Sequence, residues 1–160
     1  MTDDLEQVLH ELNRELEKVA KGLTFEFGPE TDGLQELIIS ADGIREFFPA
    51  VTRLVAAAPE LTGWKIIAFP PPKGTDLTIE LGDFKLAADD IWFLSKPDRE
   101  RIGLFLFING LSGQNEKKAK QASFILLDAA LGEYLVETMV GFVEWRNLPE
   151  DPVRAGLTPF

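Results

Sequence analysis

The stretch ILLDAALGEYLVETMVGFVEW, residues 125–145, decides the fold because one of the most apolar parts of the chain also contains four carboxylates. Asp128, Glu133 and Glu137 lie in its middle, and Glu144 lies near its end. Helical periodicity over residues 115–131 ends at Gly132, which suits a left-handed cap. Over residues 134–143, β-branched and aromatic side chains alternate with others at period two, which predicts a closing strand. Gly132 therefore divides the stretch into a helix and a strand, and the carboxylates are dispersed.

Asp128 is the unusual residue of this stretch. We expect it on the apolar side of the helix, beside Phe124 and Leu127, and near the C-terminus, where a negative charge is disfavoured. A carboxylate in that position needs hydrogen-bond donors or access to water. Two interpretations stay open: Asp128 accepts N–H bonds from the turn around Gly132, or it belongs to a functional site. If that site is catalytic, Asp128 and Glu133 are the candidate residues.

Elsewhere the chain predicts an α+β fold with a mostly antiparallel mixed sheet of about seven strands and three helices, in the order αββαββββαβ. Leucines at spacings of three and four predict an amphipathic helix over residues 3–21, which packs on its own sheet or forms a dimer contact. Two β-rich runs, residues 23–28 and 36–40, are separated by turn residues and predict a hairpin.

The middle of the chain predicts a second helix and a meander. Residues 42–58 have a helical pattern, and Pro49 predicts either a kink or a helix that begins near Phe48. Four apolar runs then follow with short connections, which predict antiparallel neighbours. These runs are residues 64–69, 77–81, 90–94 and 102–108.

Composition restricts the class of protein. A chain of 160 residues with 45% hydrophobic residues predicts a single α+β domain, residues 1–160, in which a peripheral position of the helix over residues 3–21 stays open. The absence of cysteine favours a reducing compartment, and no signal peptide or membrane span is recognisable, so we expect a cytoplasmic protein without a membrane partner. A net charge of -11 disfavours nucleic acid and suits a basic protein partner or simple solubility.

The inventory of reactive groups is small. Cysteine is absent, His10 is the only histidine, and the serines lie in no nucleophile-elbow motif. We therefore expect no metal and no cofactor, and the enzyme question stays uncertain with a negative leaning. A carboxylate-based enzyme remains an alternative, because paired Asp and Glu residues suffice for some hydrolases.

Two segments are candidates for binding. The loop over residues 109–117 follows a strand and opens a helix, so Asn109, Gln114 and Lys117 could contact a small anion there. Trp64 and Phe69 flank a strand beside a stiff proline loop, which is how an interaction surface presents an aromatic anchor.

Four segments, LIISADG, FFPAVTRLVAAAPELTGWKIIAF, ILLDAALGEY and VETMVGFVEW, resemble a family of small bacterial proteins with a domain of unknown function. The resemblance covers residues 35–148. It implies a bacterial cytoplasmic protein with a compact α+β domain, and it supplies no catalytic residue.

Together these observations predict a non-catalytic, acidic protein-interaction domain, with an inhibitor- or immunity-like role as one option. Such a domain would bind a protein partner, or it would bind a second copy of itself to form a homodimer. The alternative is a small-ligand or carboxylate enzyme site near Asp128 and the loop over residues 109–117.

Overall fold

A computed structural model describes residues 2–160, with side chains from residue 6 onward. Within that range the chain forms four helices and nine strands in three sheets, which confirms the predicted α+β class. The sequence predicts three helices and about seven strands, which is one helix and about two strands fewer than the structure has. The strands also form three sheets and not the single sheet that the sequence predicts. The chain divides into two compact units, one ending at Pro70 and one comprising Pro71–Phe160. The single domain over residues 1–160 stays a prediction.

The first unit contains two helices and a three-stranded sheet. In chain order they are α1 (Thr2–Val19), β1 (Thr24–Thr31), β2 (Leu34–Ser40), α2 (Phe48–Ala56) and β3 (Trp64–Ala68). The predicted hairpin is present, because β1 pairs antiparallel with β2. Apolar side chains of both helices and of the sheet share one core, which includes Leu16, Ile39 and Val51.

Pro49 lies in the first turn of α2, which a short 3₁₀ turn precedes. The helix proper therefore begins at Phe48, which is one of the two arrangements that the sequence predicts. Backbone N–H groups in the first turn of a helix make no intrahelical hydrogen bond, so a proline there removes none. The fixed φ angle of proline also suits a helix.

The predicted antiparallel meander is wrong in two places. Strand β3 runs parallel to β2, because the intervening helix α2 supplies the long crossover that a parallel pair needs. Residues 82–89, which the sequence predicts as a connection, contain a further strand. A two-residue turn at Gly82 and Asp83 folds this strand back on its predecessor.

The second unit contains two helices, a hairpin and a four-stranded sheet. In chain order they are β4 (Thr78–Leu81), β5 (Phe84–Ala87), β6 (Ile91–Asp98), β7 (Arg101–Ile108), α3 (Glu116–Leu131), α4 (Glu133–Met139), β8 (Val140–Asn147) and β9 (Thr158–Pro159). Strands β4 and β5 form the hairpin, and the larger sheet has the order β8-β7-β6-β9. Strand β8 runs parallel to β7, and the other pairs in this unit are antiparallel.

The stretch that decides the fold contains one correct and one incorrect prediction. Helix α3 ends at Leu131 as predicted, but residues 133–139 form the short helix α4 instead of a strand. Apolar residues occupy so many positions here that both periods fit. Packing decides between them, since Val136 is buried in the core with Leu126 and Leu127 of α3.

Gly132 joins the two helices in a conformation that only glycine adopts easily. Its φ and ψ angles are 80° and 152°, which differ from the left-handed helical cap that the sequence predicts. Its N–H still donates to the carbonyl oxygen of Asp128 at 2.8 Å, as a helix-ending residue should. The chain thus turns sharply between α3 and α4 without leaving the core.

Replacing Gly132 by alanine should lower the free energy of unfolding by about 1–3 kcal/mol, because a β-carbon strains this backbone conformation. Urea unfolding monitored by circular dichroism measures the change. Gly113→Ala is the matched control, since its φ angle is not positive and an added β-carbon meets no atom within 4 Å. Equal effects of the two substitutions would contradict the strain.

Candidate functional site: an apolar groove

A groove of about 560 Å³ opens on one face of the larger sheet in the second unit. This volume lies within the range of sites that bind small molecules or side chains of a partner. We call it the apolar groove, and its lining residues are Thr75, Phe93, Ser95, Ile102, Leu104, Leu106, Leu127, Ala130, Leu131, Leu135, Met139, Val140 and Phe160.

The groove results from the way α3 and α4 cover the sheet. Ala119 and Ala122 are fully buried, and such small side chains let α3 lie close to its neighbours. Strand residues Leu104 and Leu106 contribute both to the core around α3 and to the groove. At Leu131 helix α3 ends, and part of the apolar sheet face beyond it stays open.

Three apolar side chains of the groove remain largely accessible to solvent. Leu135 and Met139 of α4 are each 44% exposed, and Ile102 of β7 is 42% exposed. Leu135 and Met139 are four residues apart, so they lie on the same side of their helix. A cluster of exposed apolar side chains beside a concave surface is typical of a binding site.

The lining contains no charged residue and only two hydroxyl groups, on Thr75 and Ser95. Acidic residues adjoin the lining in the sequence: Asp76 follows Thr75, and Asp128 follows Leu127. Lys96, the neighbour of Ser95, points to the opposite face of the sheet, where its Nζ lies 5.1 Å from the centroid of the Phe105 ring. The groove therefore suits an apolar occupant, and its lining provides no acid, base or strong nucleophile.

The two candidate catalytic carboxylates lie at the junction of α3 and α4. Asp128 is exposed in the last turn of α3, so its expected position on the apolar side of the helix is wrong. The buried side of α3 is formed instead by residues such as Ala122, Leu126 and Ala129. Glu133 is the first residue of α4 and is 6% exposed. A catalytic role for either carboxylate stays a prediction.

The loop over residues 109–117 lies at the other end of α3. Asn115 closes this loop, because its Oδ1 accepts from the N–H of Ser112 at 2.8 Å and its Nδ2 donates to the carbonyl oxygen of Gly110 at 2.9 Å. Asn109, Gln114 and Lys117 are exposed around it. Along the helix axis Lys117 and Asp128 are separated by about 16 Å, so α3 does not bring these two residues together.

The two aromatic candidates belong to the first unit and differ in burial. Trp64 is 40% exposed, and its ring lies 5.8 Å from that of Phe27, which is 47% exposed. Phe69 is 7% exposed and packs against Phe48 in the core, with ring centroids 4.5 Å apart and the rings tilted by 43°. Trp64 thus has the exposure that an anchor requires, whereas Phe69 is placed as a core residue. Their role in binding stays a prediction.

Two carboxyl groups with a shifted pKa, Asp83 and Glu15, are not among the lining residues of the groove. A hydrogen bond from Lys118 lowers the pKa of the Asp83 carboxyl, and one from Lys18 lowers the pKa of Glu15. Both carboxyls lie at the surface of the protein. No group of three potential metal ligands occurs among the side chains described from residue 6 onward, and no helix in the described part of the chain is sufficiently long and apolar to cross a bilayer.

Sequence reasoning missed the groove because its residues are the same types that form a core. Leu135 and Met139 offered the one usable signal, since a spacing of four residues places them together once residues 133–139 are taken as helical. The period-two pattern predicted a strand for this segment, so the two residues were not recognised as an exposed apolar pair on a helix.

Comparisons with protein-family models, with curated proteins and with solved structures found no match to the chain. The resemblance to a bacterial family therefore stays an expectation, and the geometry of the groove carries the functional argument.

The double substitution Leu135→Gln and Met139→Gln should reduce the fluorescence of the apolar dye ANS bound to the protein, because it removes two exposed side chains of the groove. The free energy of unfolding should change by less than about 1 kcal/mol, since both residues are half exposed. Fluorescence titration and urea unfolding measure the two effects. Leu61→Gln is the control, because Leu61 is 46% exposed in the first unit, and it should leave the dye signal unchanged.

Proposed function

We propose that the protein is a non-catalytic interaction domain whose apolar groove binds the apolar face of an amphipathic helix from a basic protein partner. The single observation that carries this proposal is the groove itself, which is lined by apolar side chains and has three of them exposed at its surface. An inhibitor- or immunity-like role in the bacterial cytoplasm fits such a domain, because it acts by occupying a partner and needs no catalytic group.

A helical segment suits the groove for two physical reasons. Helices that bind in grooves present apolar side chains at spacings of three and four residues, and these insert side by side into one concave surface. Leu135 and Met139 adapt to such side chains, because methionine is flexible and polarisable and recurs at surfaces that accept varied helices.

Charge supports a basic partner. The chain has a net charge of -11, and the acidic residues Asp76 and Asp128 directly follow lining residues in the sequence. An acidic surface around an apolar centre attracts a partner with lysine or arginine beside its apolar stripe and accelerates the encounter. The apolar contacts then supply most of the affinity, and the acidic charges favour a basic partner over a neutral or acidic one.

A small apolar ligand is the second candidate, because the same groove volume would also hold an alkyl chain. The lack of a charged lining residue leaves a lipid headgroup without a partner inside the groove, which favours the peptide. A carboxylate enzyme site near Asp128 and the loop over residues 109–117 stays a prediction.

A synthetic helix of leucine and lysine, with leucines at positions i, i+3, i+4 and i+7, tests the proposal. We expect it to bind the protein in fluorescence anisotropy and to bind the Leu135→Gln, Met139→Gln variant about tenfold less tightly, because two apolar contacts are lost. Added salt should weaken binding, since part of the attraction is electrostatic.

Three controls make the result specific. A scrambled peptide of the same composition lacks an apolar stripe and should not bind, and a leucine–glutamate helix should bind less tightly than the lysine form. Leu61→Gln should bind like the unchanged protein. Binding of palmitate without binding of the helix would replace the proposal by the small-ligand alternative, and binding of neither would overturn both.

A further inference from the structure

Strand β8 is an edge of the larger sheet in the second unit. Among the described strands only β7 pairs with it, and its other side carries no strand. The strand is eight residues long, Val140–Asn147, so its outer side offers a row of backbone groups for pairing. Only Val140, the first residue of β8, lines the apolar groove, so the rest of this edge takes no part in the function proposed for the groove.

The hydrogen-bond pattern shows which residues of β8 direct their backbone groups outward. The N–H of Leu148 donates to the carbonyl oxygen of Ile108 in β7 at 3.1 Å. In a parallel pair, alternate residues direct both backbone groups to the same neighbour, so Leu148, Arg146 and Glu144 face β7. Val143, Trp145 and Asn147 therefore direct their N–H and carbonyl groups away from the sheet.

Glu144 and Arg146 make this edge complementary to itself. Their side chains are 54% and 52% exposed and contact each other at 3.1 Å within the chain. When two copies of β8 pair antiparallel about Trp145, Glu144 of one copy lies directly opposite Arg146 of the other. A two-fold axis forms this contact twice. In the same register Trp145 meets its own copy at a position where the backbone groups point outward, as antiparallel pairing requires.

Helix α3 provides a second, apolar contribution beside this axis. Phe124 is 41% exposed, and its ring packs edge-on against Trp145 at 5.4 Å. Lys120 lies over the same Trp145 ring and is paired with Glu116 at 2.6 Å, so it brings no uncompensated charge to the axis. Pairing at β8 would bury part of the exposed Phe124 surface against the second copy.

We propose that the partner of β8 is a second copy of this chain, joined by antiparallel pairing about Trp145 with reciprocal Glu144–Arg146 contacts. The paired sheets form one continuous sheet of twice the strand number. Pro149 lacks an N–H and limits the paired segment to the few residues around Trp145. The alternation of opposite charges selects this register, because sliding one strand by two residues places Glu144 opposite Glu144 of the other copy or opposite Leu148.

Charge reversal in the full chain tests the proposal. Glu144→Arg alone, or Arg146→Glu alone, sets like charges opposite each other twice in the dimer. We expect each to weaken self-association by about tenfold or more in sedimentation equilibrium. The two single variants mixed together should form a one-to-one heterodimer, because each then meets its opposite charge. The double reversal within one chain should restore the homodimer.

Glu80→Arg is the matched control, since it makes the same charge change at an exposed residue of the β4–β5 hairpin and should leave self-association unchanged. Circular dichroism checks that each variant keeps its fold. An unchanged protein that stays monomeric at every concentration overturns the proposal. Single variants that associate as tightly as the unchanged protein, or that fail to pair with each other, overturn it as well.

Discussion

The backbone turn at Gly132 is the constraint on which the second unit depends. A φ angle of 80° with a ψ angle of 152° lets the chain leave α3 and enter α4 within one residue. This short connection keeps α4 against the core through Val136 and brings the chain back to β7, where β8 pairs in parallel. Strand β8 is parallel to β7, so it has to begin at the same end of the sheet as β7. A longer or straighter connection between α3 and α4 would carry the chain past that end.

The groove follows from the same turn. Helix α4 has only seven residues, so it covers less of the sheet than α3 and leaves Leu135 and Met139 exposed. Exposed apolar surface has a free-energy cost in water of roughly 25 cal/mol per Å². A fold optimised for stability alone would reduce this cost with polar residues at those positions, since they contribute little to the core. Their apolar character therefore supports the proposal that a partner covers them.

Local chemistry made part of the fold predictable, and long-range packing decided the rest. Pro49 and the turn residues between β1 and β2 fixed their elements because each acts on its own backbone. The segment over residues 133–139 was predicted as a strand because its apolar residues satisfy two periods, and only the core around Val136 selects the helix. The parallel partner of β3 and the groove depend on contacts between distant residues, which a single sequence does not reveal.

The groove and the edge of β8 are compatible because they use different parts of the sheet. In the order β8-β7-β6-β9, the strand residues that line the groove belong to β6 and β7 except for Val140 at the start of β8, whereas the proposed pairing is centred on Trp145, five residues further along β8. Two copies of the chain, each with a net charge of -11, repel each other at long range. The opposite charges of Glu144 and Arg146 at the β8 edge attract only when the two copies are in contact, because salt screens charges that lie further apart. The same negative charge attracts a basic partner from a distance. Net charge thus opposes one association and favours the other, and local side chains determine where each takes place.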